Sequence, residues 1–490
     1  MSSTAGVHKH ELENTQDIQD ELHTTVDDEK ITSIFYHQFR KALWYTLIRE
    51  KLKLTVTEEM FYFTVNKTFN YLLYNYMRQT WPAIRVKDRY RSRVQIAWPH
   101  NLGTARIIKG DFVVGSDSIG NIDKISCDIH GQFYGDPGFM QHDDISIGNV
   151  KFIEEWTNDL PQYTTNVNLP MFYSWDSGNA FPLWYLSSQT NVHLAMKMKD
   201  KVSDLLRMRV RNRDREGNWY WKNLSQVNFK FIEGVKSDSS LPKPEIWGRY
   251  SYNTDSELDW YKCQGDRNYY YKDFIGFSEE NTTKYGSSSV VSIQSDTPCL
   301  AMFWVAENTD ATAIRNLSNY STNTDDLYKG WDPLKNYTFK YSKKTRIDCL
   351  PSDHASIAEP KNHFPRPPSE VGYHAESFCN DSTSCDAEVG IVFTGDLSAT
   401  LKCDVRNNDI FQIPLNSGNV DDKDDLDDED DIDDIDNLDI SEDKKPSSIE
   451  SYTKDQGGPE FKTHVRLLNM KKIVFKQNGN SDNYDLELIF

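Results

Sequence analysis

The sequence predicts an all-β protein, on the basis of three features of its 490 residues. Aromatic residues make up 13% of the chain and are spread along it, and strands favour aromatic and β-branched residues. Short apolar runs such as residues 94–98 and 105–114 are bounded by turn residues. Residues 192–198 carry an apolar side chain at every second position, as a half-buried strand requires. A chain of this length can bury a large core and is expected to form two or three domains.

The first candidate element, residues 30–55, fits two patterns. Ile31, Phe35 and Leu43 could line one face of a helix, whereas Leu43, Tyr45 and Leu47 alternate as in a strand. Periodicity alone favours the helix. The alternating and aromatic runs that follow predict further strands. The block 245–277 is also rich in aromatic residues. These strands are expected at 61–65, 71–77, 163–173, 192–198, 227–232, 288–293, 297–305, 337–346, 389–394, 399–405, 465–475 and 485–490.

The net charge of −20 comes mainly from one segment. Residues 421–443 hold 15 acidic side chains and one lysine, so they supply −14 of the total. Like charges at this density repel each other and cannot be buried, which predicts a disordered acidic loop at about 418–458. The alternative is a segment that binds Ca²⁺ or a basic partner. An EF-hand loop needs Gly at its sixth position and Glu at its twelfth, and no part of the segment supplies both.

Positive charge is too sparse to predict a nucleic-acid-binding protein, because the chain has no basic arm. One run places basic residues at alternate positions, which would share one face of a strand. We interpret it as a solvated or subunit-facing strand edge and not as a DNA contact. These residues are Arg85, Lys87, Arg89, Arg91 and Arg93.

The cysteines and the N-terminal segment indicate a reducing compartment. The seven cysteines, at positions 127, 263, 299, 349, 379, 385 and 403, have no regular spacing, which favours free thiols. Cys379 and Cys385 could form a disulfide or bind a metal, but no second pair is near enough in sequence to complete a zinc site. Residues 1–29 are polar and predict a flexible arm without a signal peptide, and no apolar run has the length of a membrane span.

No pattern in the chain predicts catalysis, a cofactor or a bound metal. His130 and the triplet 142–144 could form a metal site in a glycine-rich loop, but a polar loop is the favoured interpretation. The turn predicted at 115–120 lacks the lysine of a phosphate-binding loop, and no nucleophile elbow occurs. The aromatic triplets 219–221 and 269–271 are expected to be exposed and could stack on sugars or form a subunit contact, and interfaces favour Tyr and Trp. We therefore predict no catalytic, cofactor-binding or metal-binding residue, and not an enzyme.

The segment 94–123 resembles a segment of the major capsid proteins of nucleocytoplasmic large DNA viruses. In that family a W-x-x-N-(I/L)-G-x-A-x-I turn leads into a strand that ends in Gly and is followed by Ile-Asp. The matching residues are Trp98, Asn101, Leu102, Gly103, Ala105, Ile107, Gly115, Ile122 and Asp123. The family also opens with an I-T-x-F-x-x-x-x-R strand, and Ile31, Thr32, Phe35 and Arg40 fall in comparable places, with one extra residue between Thr32 and Phe35. This resemblance reverses the helix prediction for residues 30–55.

Further motifs of the family occur in the same order along residues 30–490. Residues 178–183 resemble its G-x-A-L-P-L turn, and Trp81-Pro82 resembles the end of its second strand. Residues 297–304 resemble its H-P-(V)-x-x-x-(I)-W strand, with Thr297 in place of the histidine. The N-G-D turn of the family is absent near residues 66–68, and residues 395–404 keep only a trace of its P-S-G motif.

The resemblance implies two tandem eight-stranded jelly rolls, a double jelly roll of antiparallel β-sandwiches with long loop insertions. We expect the first at 30–204 and the second at 205–490. The implied function is a structural virion protein of a large DNA virus, a homotrimer that tiles an icosahedral capsid and is assembled in the host cytoplasm. Expected partners are neighbouring capsomers, minor capsid proteins, and an inner viral membrane or host surface reached through loops.

Two alternatives remain open at this point. One is a minor capsid or scaffold paralogue of the same fold. The other is a glycan-binding β-sandwich used for attachment.

Overall fold

The computed structural model describes most of the chain between residues 47 and 489. The described residues are 47–57, 60–135, 145–175, 179–187, 189–214, 217–237, 239–252, 258, 266–295, 297, 299–341, 344–378, 397–406, 459–477 and 484–489.

Fifteen of the described strands precede residue 252. They are β1 (Leu47–Lys51), β2 (Lys53–Val56), β3 (Phe61–Thr64), β4 (Tyr71–Trp81), β5 (Ile84–Arg85), β6 (Val94–Ala97), β7 (Ile107–Val114), β8 (Asp117–Ile122), β9 (Asp159–Leu160), β10 (Tyr163–Leu169), β11 (Phe181–Pro182), β12 (Val192–Met198), β13 (Arg207–Arg213), β14 (Trp219–Asn223) and β15 (Glu245–Ser251). Their main sheets have the orders β1-β15-β4-β10, with β11 also on β4, and β2-β3-β12-β7-β8.

Nine described strands follow residue 266 and form a second pair of sheets. They are β16 (Arg267–Ser278), β17 (Ser288–Ser295), β18 (Cys299–Asn308), β19 (Leu334–Tyr341), β20 (Lys344–Pro351), β21 (Tyr373–Ser377), β22 (Leu397–Val405), β23 (Phe461–Gln477) and β24 (Tyr484–Ile489). The sheet orders are β16-β23-β18-β21, with β24 also on β23, and β17-β22-β19-β20.

The helices with defined bounds in the described part of the chain are short and lie in the connections. The α-helices are α1 (Leu102–Ala105), α2 (Lys124–Tyr134), α3 (Lys151–Glu154), α4 (Thr309–Ala313) and α5 (Glu359–His363). The 3₁₀ turns are Asp88–Tyr90, Leu183–Tyr185, Val202–Asp204, Phe229–Phe231 and Leu327–Lys329, and a π-helical turn covers His354–Ala358. Among the described helices, none has the length and apolar character that crossing a bilayer demands.

Both units have the jelly-roll topology. When the eight main strands of each unit are lettered B to I in chain order, both units give the sheet orders B-I-D-G and C-H-E-F. The letters B to I stand for β1, β3, β4, β7, β8, β10, β12 and β15 in the first unit, and for β16 to β23 in the second. The predicted all-β double jelly roll is confirmed.

All strand pairs in these sheets are antiparallel, so the B–C, D–E, F–G and H–I connections of a unit leave from one end. We call this the loop end. A small sheet of order β14-β13-β6 lies there, built from the D–E and H–I connections of the first unit. Arg315 in the D–E connection of the second unit donates hydrogen bonds to the carbonyls of Ser203 and Ser225 in the H–I connection of the first. The two units therefore point their loop ends in the same direction.

Strand pairing differs from the predicted boundary at 204/205. Strand β15 pairs with β1 and β4 as the last strand of the first jelly roll, and β13 pairs with β6. We therefore propose a boundary between residues 251 and 267. The resemblance motifs do not mark the H–I connection of the first unit, so the sequence offered no signal for its 46 residues from 199 to 244.

Several predicted strands are confirmed with shifted ends. The strand expected at 105–114 begins at Ile107, because residues 102–105 form α1. The strand expected at 163–173 ends at Leu169, since Pro170 has no N–H to continue the ladder. Within residues 30–55, the strand assignment is confirmed for β1 and β2, and residues 30–46 lie outside the described part.

Four local predictions are wrong. The turn predicted at 115–120 is confined to residues 115 and 116, and residues 117–122 form β8. Residues 227–232 contain a 3₁₀ turn at Phe229–Phe231 in place of a strand. The basic run 85–93 forms no alternating strand, because β5 ends at residue 85 and a 3₁₀ turn follows at Asp88–Tyr90. Tyr269 and Tyr271 are buried and not exposed. The arm 1–29, the strand at 389–394, the acidic loop 418–458 and the pair Cys379 and Cys385 lie outside the described residues.

Candidate functional site

The apolar core of the first unit continues into the second unit. Tyr269 and Tyr271 on β16 and Phe475 on β23 are buried in the same cluster as Phe172 of the first unit. The ring centroids of Phe172 and Tyr271 are 4.6 Å apart. The hydroxyl of Tyr271 donates to the carbonyl of Ile119 at 3.0 Å, so the polar end of this buried ring is satisfied across the junction. The two jelly rolls thus share buried surface and form one rigid pair.

A buried group of charges lies at the same junction, near the loop end. Lys124, at the start of α2 in the first unit, donates to Glu307 of β18 at 2.8 Å. His464 Nε2 of β23 lies 3.3 Å from the other oxygen of Glu307. Arg466 of β23 forms an ion pair with Asp123, whose carboxylate also caps α2 by accepting from the Ser126 N–H at 2.7 Å. Strand β23 and α2 are therefore joined by charged side chains of both units.

The environment of these groups shifts their pKa values in the direction that keeps them charged. Burial raises the pKa of Glu307, but Lys124 and His464 outweigh burial, so the net pKa is lowered. Burial lowers the pKa of Lys124, and Glu307 and Asp128 reverse the effect to a raised pKa. For Asp123, burial is outweighed by Arg466, which lowers the carboxyl pKa. These ion pairs are maintained around neutral pH.

His100 forms a second polar link between the units. Its Nδ1 lies 3.0 Å from Glu154 of α3, and its Nε2 lies 2.9 Å from Glu370 in the F–G connection of the second unit. The imidazole is 2% exposed. Burial lowers its pKa, but the two carboxylates outweigh burial and raise it well above 6.5. An imidazolium donating to one carboxylate from each unit is the form that this geometry stabilises.

The outer face of the small sheet at the loop end carries arginine and tryptophan side chains. Strand β13 has arginine at every second position from 207 to 213, and the register places Arg211 opposite Trp221 and Arg213 opposite Trp219. The guanidinium of Arg213 is 4.4 Å from the ring centroid of Trp219, and that of Arg209 is 4.7 Å from Trp221. We call this surface the arginine–tryptophan face. It consists of Arg93, Arg209, Arg211, Arg213, Trp219 and Trp221.

The opposite side of the same sheet is apolar, which orients the arginines outward. Val94, Ile96 and Met208 are buried in the loop-end core. Trp219 is 39% exposed and Trp221 36%, so the predicted exposure of the triplet 219–221 is confirmed. The signal that could have predicted this surface is the alternation RMRVRNR at 207–213, next to WYW at 219–221.

Residues considered for chemistry do not come together in the described structure. His130 lies within α2, stacked against Tyr134 and 4.8 Å from the ring centroid of Trp175. Burial, together with Arg366, lowers its pKa to about 4. The triplet 142–144 lies outside the described residues. Among the described residues, no three His, Cys, Asp or Glu side chains are grouped as metal ligands. Cys127, Cys299, Cys349 and Cys403 are free thiols, and the absence of a catalytic site stays a prediction.

The polar residues of the junction could not have been found from the sequence. Lys124 and Glu307 are 183 residues apart, and Asp123 and Arg466 are 343 apart. No local pattern marks such pairs, because they meet only after both jelly rolls have folded.

Comparison with known proteins points to viral capsids. No family model matches the sequence. The major capsid protein of Invertebrate iridescent virus 6 is 21% identical over 385 residues, which cover 71% of this chain and 77% of the relative. The major capsid protein of Invertebrate iridescent virus 3 is 23% identical over 366 residues, which cover 70% of this chain and 76% of the relative.

Solved structures agree on the fold. The PBCV-1 virus capsid protein superposes with a TM-score of 0.58 at 9% identity, covering 95% of this chain and 99% of that chain. The Faustovirus major capsid protein superposes with a TM-score of 0.56 at 7% identity, covering 87% of this chain and 90% of that chain. The predicted resemblance to the double jelly-roll capsid proteins of large DNA viruses is confirmed, and the comparisons support a capsid-protein role.

Proposed function

We propose that this chain, a double jelly-roll protein similar to major capsid proteins, is a shell subunit that trimerises into pseudo-hexagonal capsomers and tiles an icosahedral capsid. The observation that carries the proposal is the junction of the two jelly rolls. The shared aromatic core and the buried pairs of Lys124 with Glu307 and Asp123 with Arg466 hold the two barrels side by side. Three such rigid pairs around a threefold axis present six barrels, an outline that packs on a flat facet.

The trimer is tested by sedimentation or light scattering of the purified full chain. The expected mass is about 171 kDa, three times the 56.9 kDa of one chain. A monomer at micromolar concentration would contradict the proposal.

We further propose a place in the virion capsid, with assembly in the host cytoplasm and no enzymatic activity. Its partners would be neighbouring copies, minor capsid proteins, and loops in contact with an inner membrane or a host surface. A scaffold or minor paralogue has the same fold, so abundance distinguishes the roles. Quantitative mass spectrometry of purified particles should find this chain as the dominant protein by mass if it is the main shell subunit.

The arginine–tryptophan face argues against the glycan-binding alternative. Carbohydrate sites use open aromatic faces, whereas the guanidinium groups of Arg93, Arg211 and Arg213 lie within 5.7 Å of the ring centroid of Trp219. A glycan array probed with the full chain should give no binding that depends on Trp219 and Trp221. Binding that is lost on Trp219→Ala would instead favour an attachment protein.

A further inference from the structure

The arginine–tryptophan face carries positive charge that the described residues offset only in part, since Asp325 acts electrostatically on Arg209. The three strands of its sheet contain no acidic residue. Within the described part of the chain, Arg93, Arg209, Arg211 and Arg213 form no ion pair with a carboxylate. Arg209 donates to the side-chain oxygen of Gln95 at 2.8 Å, which is a neutral partner. Arginine stacked on tryptophan keeps its outer N–H groups free to donate, and bidentate pairing with carboxylates is the interaction that guanidinium favours.

The same chain supplies a segment of matching chemistry. Residues 421–443 contain 15 carboxylates and one lysine, with isoleucine and leucine between them. Carboxylates can pair with the guanidinium groups, and the interspersed aliphatic side chains can contact the exposed indole rings. We infer that the acidic tract 421–443 binds the arginine–tryptophan face of its own chain. This inference does not depend on the capsid role.

Topology brings the arginine–tryptophan face and the two strand ends that flank the acidic tract to the same end of the molecule. The arginine–tryptophan face lies on the H–I connection of the first jelly roll and the adjoining D–E connection. The acidic tract belongs to the H–I connection of the second, between β22 and β23. Both H–I connections leave from the loop end. The sheet orders therefore place the end of β22 and the start of β23, between which the tract is attached, at the loop end.

The length of chain is sufficient for this contact. The Thr309 N–H of α4 donates to the carbonyl of Glu460 at 3.0 Å, and Arg315, just after α4, donates to the carbonyl of Ser225, just after β14. The path from Glu460 through α4 and along β14 to Trp219 is on the order of 35 Å. The 15 residues between positions 443 and 459 can span about 50 Å when extended. The tract can therefore reach the arginine–tryptophan face without any change in the described fold.

The test uses a fluorescent peptide of residues 421–443 and the full chain in two forms. In the neutralised chain, all fifteen carboxylates of the tract are replaced by amides, which leaves the arginine–tryptophan face unoccupied. Fluorescence anisotropy in 50 mM salt should show binding of the peptide to the neutralised chain. The intact chain should bind at least about tenfold more weakly, since a tethered segment competes at an effective concentration in the millimolar range.

Charge-matched variants locate the binding site. Arg211→Gln with Arg213→Gln in the neutralised chain should weaken peptide binding about tenfold, whereas Arg49→Gln with Arg346→Gln should leave it unchanged. All four arginines are exposed, and circular dichroism and the melting temperature confirm that each variant is folded. Binding should also fall steeply as salt rises to 500 mM, because the charges are exposed to solvent.

Three outcomes would overturn the inference. In the first, the peptide binds the intact and the neutralised chain with equal affinity. In the second, the peptide binds the Arg211→Gln/Arg213→Gln variant and the Arg49→Gln/Arg346→Gln variant with equal affinity. In the third, the intact chain binds the peptide more weakly only at protein concentrations at which the chain associates, and as tightly as the neutralised chain after dilution. That result would show that the acidic tract of a neighbouring copy binds the face.

Discussion

The buried ion pair between Lys124 and Glu307 gives the sharpest test of how the two jelly rolls are held together. Their side chains are 13% and 16% exposed, and the Nζ–Oε1 distance is 2.8 Å. Glu307→Gln would remove the carboxylate to which the buried Lys124 donates and would leave the ammonium without this hydrogen-bonded partner. Removing one partner of such a pair costs about 3–5 kcal/mol. With a urea slope of about 3 kcal/mol per M, the unfolding midpoint should fall by roughly 1–1.7 M.

Two further variants distinguish the loss of this ion pair from an unspecific loss of stability. Lys124→Met combined with Glu307→Gln removes both charges and should recover the stability of the parent chain to within about 1 kcal/mol. Lys284→Met breaks an exposed pair with Glu460, in which the lysine is 70% exposed, and should cost less than about 0.5 kcal/mol. Urea unfolding followed by tryptophan fluorescence at pH 7 measures all three. A cost below 1 kcal/mol for Glu307→Gln, or a double variant no more stable than the single one, would refute the reasoning.

The pH dependence of this contribution follows from the directions of the two pKa shifts. The pKa of Glu307 is lowered from 4.5, so its stabilisation is complete above pH 4.5 and is lost as pH falls toward the lowered value. The pKa of Lys124 is raised from 10.5, so its stabilisation is complete below pH 10.5 and is lost as pH rises through the raised value. Between these limits both members of the Lys124–Glu307 pair stay charged, so the parent chain should remain more stable than Glu307→Gln throughout this range.

Three other changes test the packing and the charge links of the fold. His100→Gln should lower stability at pH 6 by about 3 kcal/mol or more, because two buried carboxylates lose their cation. The stability difference should shrink at strongly alkaline pH, because the parent chain loses the same charge once pH exceeds the raised pKa of His100. Melting temperatures of both chains at both pH values measure this difference. Gly120→Ala should cost about 1–3 kcal/mol, because its Cβ would lie 2.5 Å from the ring of Phe172. Gly131→Ala in α2 should instead stabilise the chain by up to about 1 kcal/mol, because its Cβ would meet nothing within 4 Å. Urea unfolding of both variants checks these values. Trp304→Ala should cost about 3–5 kcal/mol in the same assay, because the indole is fully buried in the second core, and a loss below 1 kcal/mol would contradict that placement.

The strands that the sequence predicted best are those with clean alternation. Residues 192–198 and 288–295 show every second side chain buried, since one face of each strand packs on a core. The failures have local causes. The RMRVRNR strand was overlooked because its apolar positions are few, and the aromatic triplet 269–271 was assigned to the surface although its strand lies between two barrels.

Features that depend on both jelly rolls were beyond the reach of the sequence. The ion pairs at the junction join residues more than 180 positions apart, and His100 meets a carboxylate 270 positions away. Neither spacing nor residue type distinguishes these charged residues from the many on the surface. The resemblance to capsid proteins supplied the number of jelly rolls but not the point at which the first one ends.

The most direct test of the central claim is electron microscopy of the purified full chain at its main chromatographic peak. A capsid subunit of this fold should appear as a compact trimer with a hexagonal outline and six barrels around the threefold axis. A particle with two barrels only, the image of a single chain, would contradict the proposed assembly.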